Sequence, residues 1–331
     1  MINRVLLYNS GGGVGDAIQI LPLFNTLKNE LKNTKFYYLS AHENHFNSTL
    51  KDLNCEIESL NLKIKYFGFR WWHALIVKKR VKMQNIESFD LILDLQSKIR
   101  NSLILKIIPH KKFISSSFNF KLSKPNLSIK KENKIAETIL KAINILFEKN
   151  YQITEYNINK IHKKFHSESE KLLPNKNYVG LSITQGNVYR KKEWPLDNVI
   201  KISNKLLESS KIPVFFIEKK NTELKNKINK LLPNALFPEH ESELSCSALV
   251  ACLGKRLDFA ISIDNGVMHM LSLSKVPMIT LFGPTDSEKF APKYKHSIIL
   301  DSKKLYNTKN VSSITVEDVL QAAKLHLNFS Y

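Results

Sequence analysis

Short apolar runs alternate along this chain with longer segments in which apolar residues recur at helical spacing. The short runs predict buried strands, and the longer segments predict amphipathic helices. The predicted strands are residues 2–8, 35–39, 90–95, 113–114, 178–183 and 213–217. The predicted helices are residues 16–31, 134–147, 195–208, 221–232, 243–253 and 315–327. Strands that alternate with helices indicate an α/β fold with parallel, doubly wound sheets.

The region 258–285 shows this alternation in its most compact form. It predicts a strand up to Asp264, a tight loop, a helix, a second strand and a second tight loop near Thr285. In open α/β sheets, ligands bind where parallel strands end. Asn265-Gly266 allows a sharp turn close to a ligand, and the N–H groups of the following helix point at that place. The pattern predicts a site suited to a diphosphate.

The alternation is interrupted by a polar, lysine-rich stretch around residues 150–176. Because 331 residues are many for one hydrophobic core, we expect two domains. We predict a Rossmann-like domain at residues 1–170, a second at residues 171–314 and a final helix at residues 315–331. Two such domains form a cleft between them, and clefts of this kind commonly bind ligands.

The net charge of +20 has two explanations that the sequence leaves open. One is an anionic partner, such as a membrane surface or a phosphorylated substrate. The other is a general enrichment in Lys, Asn and Ile, since only six of the 50 basic residues are Arg. A nucleic-acid partner is not expected, because the sequence has no RNP-like run, zinc-finger spacing or basic helix with heptads.

The cysteines and the hydropathy pattern bear on the compartment. The three cysteines have no C-x-x-C spacing, which favours a reducing compartment without a metal site or disulfide framework. We find neither a secretory signal nor an apolar run of about 18–20 residues. The expectation is a cytoplasmic protein, either soluble or peripheral to a membrane.

The first predicted strand runs into a glycine-rich loop that ends at Asp16. The loop does not match the dinucleotide fingerprint G-x-G-x-x-G or a phosphate-binding Walker loop. Taken alone, Asp16 is best explained as an acid at a helix start, where it interacts favourably with the helix dipole. The alternative is a general base, since a carboxylate facing a cleft can accept a proton from an incoming hydroxyl.

A second group of candidates follows the strand at residues 178–183. Thr184 can donate a hydroxyl to a phosphate, and the cations at 190–192 can neutralise it, unless they form only a solvated charge run. Glu218 and Glu223 follow the next strand, where an acid can bind ribose or simply face solvent. His269 is either a donor to the diphosphate or a core histidine. Asp264 can cap the helix or contact the ligand, and these two roles are compatible.

The motifs in their order resemble glycosyltransferase family 9, the ADP-heptose:lipopolysaccharide heptosyltransferases. They are Gly15-Asp16 with Pro22; Phe89 to Gln96 with Arg100; Lys192-Glu193-Trp194-Pro195; Asp264-Asn265-Gly266 with His269; and Pro277 with Gly283-Pro284-Thr285. The resemblance implies a GT-B fold of two Rossmann-like domains with an interdomain cleft. It implies metal-independent, inverting transfer without a cofactor, from a nucleotide-diphosphate sugar that is expected to be ADP-linked.

The resemblance also implies residue roles. Asp16 becomes the base, in an N-terminal domain that binds the acceptor, and the C-terminal domain binds the nucleotide sugar. The final helix is expected to return to the N-terminal domain. Predicted donor contacts are Thr184, Lys192, Glu223, Asp264, Asn265, Gly266 and His269, and predicted acceptor contacts are Gly13, Gly15, Arg70 and Arg100.

Three departures from the family pattern leave the nucleotide and the sugar open. Glu218-Lys219-Lys220 stands where the family has a glycine pair before its ribose-binding acid. Glu223 is the better match for that acid, and an offset stays open. Asn265 stands where Ser or Thr is usual, and Glu193 stands where a basic residue normally precedes the Trp.

Residues 63–80 mix aromatic and basic side chains. The segment can lie at a membrane interface, line an acceptor site or form a partly buried helix. We favour core positions for Trp71 and Trp72, and acceptor contacts for some of the bases.

The sequence thus predicts a glycosyltransferase that moves a sugar, expected to be a heptose, to an anionic lipid-linked glycan of the lipopolysaccharide core or a related type. Peripheral contact with the inner membrane is part of this expectation. Two alternatives stay open: another nucleotide-sugar enzyme such as an epimerase or hydrolase, and a non-catalytic nucleotide- or glycan-binding protein.

Overall fold

The computed structural model describes residues 2–185, 189 and 191–327. It divides into two compact units, Met1–Tyr156 and Asn157–Tyr331. Each unit contains one five-stranded sheet in which all the paired strands run parallel. The predicted α/β class with two Rossmann-like units is confirmed.

The first unit alternates strands and helices throughout. Its strands are β1 (Arg4–Asn9), β2 (Lys35–Ser40), β3 (Glu58–Ser59), β4 (Phe89–Asp94) and β5 (His110–Ser115). Its helices are α1 (Val14–Ile18), α2 (Leu21–Glu30), α3 (His73–Met83), α4 (Ile99–Leu105) and α5 (Ile135–Phe147).

The second unit has the same alternation with more short helices. Its strands are β6 (Tyr178–Ser182), β7 (Ile212–Phe215), β8 (Phe259–Ile263), β9 (Met278–Phe282) and β10 (Ser297–Asp301). Its helices are α6 (Lys163–Leu172), α7 (Leu196–Glu208), α8 (Thr222–Leu231), α9 (Pro238–Glu241), α10 (Ser247–Gly254), α11 (Gly266–Ser272), α12 (Ser287–Phe290), α13 (Ser302–Tyr306) and α14 (Val316–Leu327).

The strand orders place one topological switch point in each sheet. The first sheet has the order β3-β2-β1-β4-β5, and the second has the order β10-β9-β8-β6-β7. The chain changes direction across the sheet between β1 and β4 in the first unit and between β6 and β8 in the second. The loops that leave these neighbouring strands diverge, so each carboxyl edge offers a ligand position there.

The central strands are apolar along their whole length because helices cover both faces of a parallel sheet. Val5, Leu6, Leu7 and Tyr8 of β1 are all fully buried. The second unit buries the continuous run of β8 in the same way. This explains why continuous apolar runs, rather than alternating ones, marked these strands in the sequence.

Two predicted helices differ from the structure for local reasons. The predicted helix 16–31 is two helices, α1 and α2, and Pro22 lies in the first turn of the second. Proline has no N–H for a bond to the residue four positions earlier, so the first helix cannot continue through it. The predicted helix 243–253 starts only at Ser247, because Cys246 has an extended backbone.

The unit boundary differs from the expected one, and the last helix packs within the second unit. The first unit ends at Tyr156, not at residue 170, since α6 packs against α10 of the second unit. We expected residues 315–331 to return to the N-terminal domain. The buried face of α14 belongs to the core of the second unit, where Val319 and Leu320 join the apolar side chains of α7. The return to the N-terminal domain stays a prediction.

A buried carboxyl ties β4, β5 and α4 together. Asp94 is fully buried and accepts hydrogen bonds from the Ser102 hydroxyl at 2.5 Å, the Ser115 hydroxyl at 2.7 Å and the Gln96 N–H at 3.0 Å. Burial outweighs these bonds and raises the pKa of Asp94 to about 6. Asp94 therefore serves the end of the sheet.

This cluster predicts a pH dependence of stability. The ordinary pKa of the carboxyl is 3.8, so between about pH 4 and 6 the folded chain keeps a proton that the unfolded chain has released. The contribution of Asp94 to the free energy of unfolding should thus fall by up to about 3 kcal/mol as pH rises through this window.

Urea unfolding of the unchanged protein and of Asp94→Asn, from pH 4 to pH 7, measures this effect. The difference between the two stabilities should change with pH, since Asn cannot release a proton. A constant difference across the range would contradict the assignment.

Candidate active site

Asn9, the last residue of β1, organises the glycine loop. Its side-chain oxygen accepts the Gly11 N–H at 2.9 Å and the Gln96 side-chain amide at 2.7 Å. Its own amide donates to the Asp16 carbonyl at 3.1 Å. One side chain thus joins β1, the loop, α1 and the end of β4 at the first switch point. Sequence reasoning missed this residue, although an amide at a strand end before a glycine run was a visible signal.

Asp16 folds back onto the loop that precedes it. One carboxylate oxygen accepts the Gly13 N–H at 3.3 Å, and the side chain is half-buried. A Cβ at Gly11 would lie 2.4 Å from the Asp16 carboxyl carbon, so only glycine fits there. The helix-start role is therefore real. The hydrogen bond from the Gly13 N–H is long and involves only Oδ2. The carboxylate can therefore still accept a proton.

The predicted acceptor residues all lie in the first unit. Gly13 is the N-cap of α1 and Gly15 lies in its first turn, next to Asp16. Arg100, on α4, donates from Nε to the Gly68 carbonyl at 2.8 Å. Arg70 is exposed, and its guanidinium carbon lies 5.7 Å from the Trp72 ring centroid.

The expectation that the Trp pair belongs to the core is wrong. Trp71 and Trp72 are both 60% exposed. They precede α3, whose buried face consists of His73 and Val77. Because His73 and Val77 occupy the positions that face the core, Trp71 and Trp72 face solvent.

The second unit places a lysine, an acid and a hydroxyl together at its switch point. Lys192 forms an ion pair with the Asp264 carboxylate and also donates to the Asp264 carbonyl at 3.2 Å. The Thr285 hydroxyl donates to the same carboxylate at 2.6 Å. The Lys192 and Asp264 side chains are only 12% and 8% exposed, so their attraction is weakly screened. The donor-site prediction had not included Thr285.

Asn265 holds the end of β8 against the end of β6. Its side-chain oxygen caps α11 by accepting the Met268 N–H at 2.8 Å. Its amide donates to the Ser182 hydroxyl at 2.8 Å and to the Thr184 carbonyl at 2.9 Å. Serine or threonine has no amide for the second task. Asn265, which departs from the family pattern, therefore adds a hydrogen-bonded link between the two strands.

The remaining predicted donor residues lie on the same elements. Gly266 begins α11, and His269 is buried within it. Lys192 is fixed by its own N–H, which donates to the Gln185 side chain at 2.9 Å. Of the predicted basic cluster, Arg190 lies outside the described residues, as do residues 186–188.

Three acids lie around the end of β7, and sequence reasoning found two. Glu218 pairs with Lys220 at 2.5 Å and is mostly exposed, and Glu223 is exposed in the first turn of α8. Glu239 follows Leu236, which forms a parallel bridge to Val214 of β7. Glu239 is 7% exposed, and its Oε2 has no hydrogen-bond partner among the described residues. Burial, together with Glu218, raises the pKa of Glu239 to about 7.

The described part of the chain contains neither a metal-binding cluster nor a membrane-spanning helix. Residues 2–185, 189 and 191–327 hold no group of three or more His, Cys, Asp or Glu side chains that could bind a metal ion. Among these residues there is also no helix with the length and apolar character needed to cross a bilayer.

Solved structures resemble the chain over its whole length. A family 9 glycosyl transferase from Veillonella parvula DSM 2008 is 17% identical, with 99% of this chain and 98% of that chain covered and a TM-score of 0.67. The E. coli heptosyltransferase WaaC with ADP is 16% identical, with 98% and 99% covered and a TM-score of 0.66. The E. coli ADP-heptose lps heptosyltransferase II is 14% identical, with 99% of each chain covered and a TM-score of 0.66. These likenesses confirm the GT-B fold.

A comparison with curated proteins found no match. The model of glycosyltransferase family 9 (heptosyltransferase) matches residues 77–320, which is more than half of the chain. The match includes the greater part of α3, all of β4 and the whole Lys192–Asp264–Thr285 cluster. The chain therefore belongs to glycosyltransferase family 9.

Proposed function

We propose that this glycosyltransferase moves a heptose from an ADP-linked donor to a lipopolysaccharide core or a related anionic glycan. The observation that carries the proposal is the cluster of Lys192, Asp264 and Thr285 at the switch point of the second sheet. A cation held there by an acid is suited to the charge that develops on a leaving diphosphate. The choice of ADP and heptose is supported by the E. coli relatives, whose names include ADP and ADP-heptose.

In the proposed reaction, a hydroxyl of the acceptor attacks the anomeric carbon of the donor sugar. Its proton passes to the Asp16 carboxylate, and the electron pair of the breaking C–O bond leaves with the nucleoside diphosphate. Attack opposite the leaving group inverts the anomeric centre. Lys192 supplies the positive charge that a divalent ion supplies in other phosphate chemistry, so the proposal needs neither metal nor cofactor.

The other donor contacts follow from the same elements. Thr184, Asn265 and Gly266 surround the proposed diphosphate position, with His269 behind them on α11. The ribose is proposed to lie near the end of β7, where Glu223 is the predicted acid. Gly13, Gly15, Arg70 and Arg100 are proposed to contact the acceptor.

Replacing Asp16 tests the base. Asp16→Asn keeps the size of the side chain but cannot accept the proton, so kcat should fall by a factor of about 10² to 10⁴. Transfer is measured by product formation from ADP-heptose and a deacylated lipopolysaccharide core. ADP binding should stay unchanged, and normal turnover of the variant would contradict the mechanism.

Replacing Lys192 tests the leaving-group site. Lys192→Met removes a charge-assisted contact and should weaken ADP binding by a factor of about 10 to 100. Lys191→Met is the matched control, because Lys191 is the exposed neighbour with the same charge. Titration calorimetry measures both variants, with their melting temperatures recorded alongside. Equal ADP affinity for the two variants would reject the site.

We further propose that the protein works at the cytoplasmic face of the inner membrane through one side of α3. Four apolar side chains lie on this side or next to it, at exposures of 60–74%: Trp71, Trp72, Leu75 and Met83. Basic residues accompany them in the same segment: Arg70, Lys78, Lys79, Arg80 and Lys82. Apolar side chains flanked by cations suit an anionic membrane surface.

Binding to phospholipid vesicles tests the proposed membrane contact. The unchanged protein should sediment with vesicles of anionic phospholipid more than with zwitterionic ones, and less at high salt. Leu75→Glu should lose most of this binding. Leu325→Glu is the control, since Leu325 is 66% exposed on α14 and Leu75 is 74% exposed. Equal losses in the two variants would contradict the role of α3.

A further inference from the structure

Tyr66 has an unfavourable backbone conformation at an exposed position. Its φ is +54°, in the left-handed region that bulky side chains rarely adopt, and it is 50% exposed. An exposed aromatic ring gains little from burial, so packing alone does not explain why the chain holds it there. Strained residues of this kind concentrate at functional sites.

The residues that follow Tyr66 are firmly anchored, which keeps its ring in place. The Tyr8 hydroxyl donates to the Phe67 carbonyl at 3.0 Å, and Arg100 donates to the Gly68 carbonyl. Gly68 has a φ of +82°, and a Cβ there would lie 2.8 Å from the Asn101 side chain. Before the anchor, the Tyr66 N–H donates to the Ala41 carbonyl at 2.7 Å. The anchor connects Tyr66 rigidly to β1 and α4.

His42 connects Tyr66 to the loop that carries Asp16. The His42 and Tyr66 rings meet edge to face, with centroids 4.4 Å apart. On its other side the His42 imidazole lies against Gly12, where a Cβ would approach it to 2.4 Å. Asp16 occupies the corresponding space beside Gly11. His42 and the candidate base thus pack on adjacent glycines of one loop.

The row of rings continues away from the loop and ends in two cations. The Phe69 ring lies 5.8 Å from Tyr66, and the Lys98 ammonium lies 5.6 Å from the Phe69 ring centroid. Arg100 is held next to this row by its bond to Gly68. Rings in sequence with terminal cations match a glycan that has apolar sugar faces and an anionic group.

We propose that His42, Tyr66 and Phe69 form an aromatic platform that binds a sugar ring of the glycan acceptor, with Lys98 and Arg100 binding an anionic group on the same glycan. The proposal rests on the proposed function and assigns residues to its acceptor. A sugar on the platform lies beside the glycine loop, which brings one of its hydroxyls towards Asp16. Tyr66 and His42 then select the acceptor, while Asp16 takes its proton.

The test replaces Tyr66 by glycine. Glycine adopts the left-handed conformation without strain, so Tyr66→Gly removes the ring and relaxes the backbone together. Affinity for deacylated lipopolysaccharide core should fall about tenfold, the loss expected for an aromatic contact. The melting temperature should stay within about 4 °C of the unchanged protein, because relief of strain offsets the lost ring contacts. ADP affinity should not change.

Two further variants distinguish the effect of losing the Tyr66 ring from the effect of changing a strained backbone. Tyr66→Phe keeps the ring, so it should retain the glycan affinity that Tyr66→Gly loses. Phe118→Gly is the matched control, since Phe118 is 57% exposed, has a φ of +47° and carries the Lys121 ammonium 5.1 Å from its ring centroid. It follows β5, at the other side of the sheet from β2 and β3. Its glycan affinity should equal that of the unchanged protein.

Glycan binding by calorimetry is measured separately from transfer, so the two proposals fail separately. If the unchanged protein binds the glycan but does not transfer heptose, the proposed function fails. The glycan affinity of Tyr66→Gly still tests the platform in that case. If transfer occurs and Tyr66→Gly has an unaltered glycan affinity and an unaltered KM for the acceptor, the platform is wrong. A loss of ADP affinity in Tyr66→Gly would also overturn it, since the ring would then serve the nucleotide. Absence of any glycan binding by the unchanged protein rejects it as well.

Discussion

The parallel direction of all the strands is the constraint on which the rest of this structure depends. Parallel pairing places every carboxyl end of a sheet on the same edge, and the change of winding direction separates two neighbouring loops there. In both units, hydrogen bonds link the ends of the two neighbouring strands from which these loops leave. In the first unit, the Asn9 side chain on β1 binds the amide of Gln96 beyond β4. In the second, the Asn265 side chain beyond β8 binds the Ser182 hydroxyl on β6. An amide suits both places because it donates and accepts at once.

The ion pair at the second switch point adds little to the stability of the fold. A nearly buried ion pair such as Lys192 with Asp264 recovers little beyond the cost of removing both charges from water. Thr285 offsets part of that cost by donating to the carboxylate. In the proposed mechanism, the pair supplies a cation whose position is fixed before the donor arrives, and a fixed charge costs no reorganisation during the reaction. Glu239, whose buried Oε2 has no hydrogen-bond partner within the described part of the chain, is a second cost in the same unit.

Local signals predicted the long elements well and the short ones poorly. The periodicity of α5, α7 and α14 was strong enough to place these helices to within a few residues. Elements such as α12 and α13 contain too few apolar positions for a pattern to show. Helix α6 was hidden in a lysine-rich stretch, because only one narrow stripe, around Phe165, is buried against α10. Trp71 and Trp72 were misplaced because composition alone does not say which side of a helix faces the core.

The sequence by itself determined the fold class, the family and the candidate chemistry, because each rests on residues close together in the chain. The glycine loop with Asp16 and the turn at Asp264 and Asn265 are local motifs of this kind. Tertiary structure alone decided which distant residues meet. It brought Lys192 to Asp264 and Thr285, His42 to Gly12, and α14 to the core of the second unit. Such contacts depend on strand order and on the path of each crossover, and short-range patterns of apolar and polar residues do not encode either one.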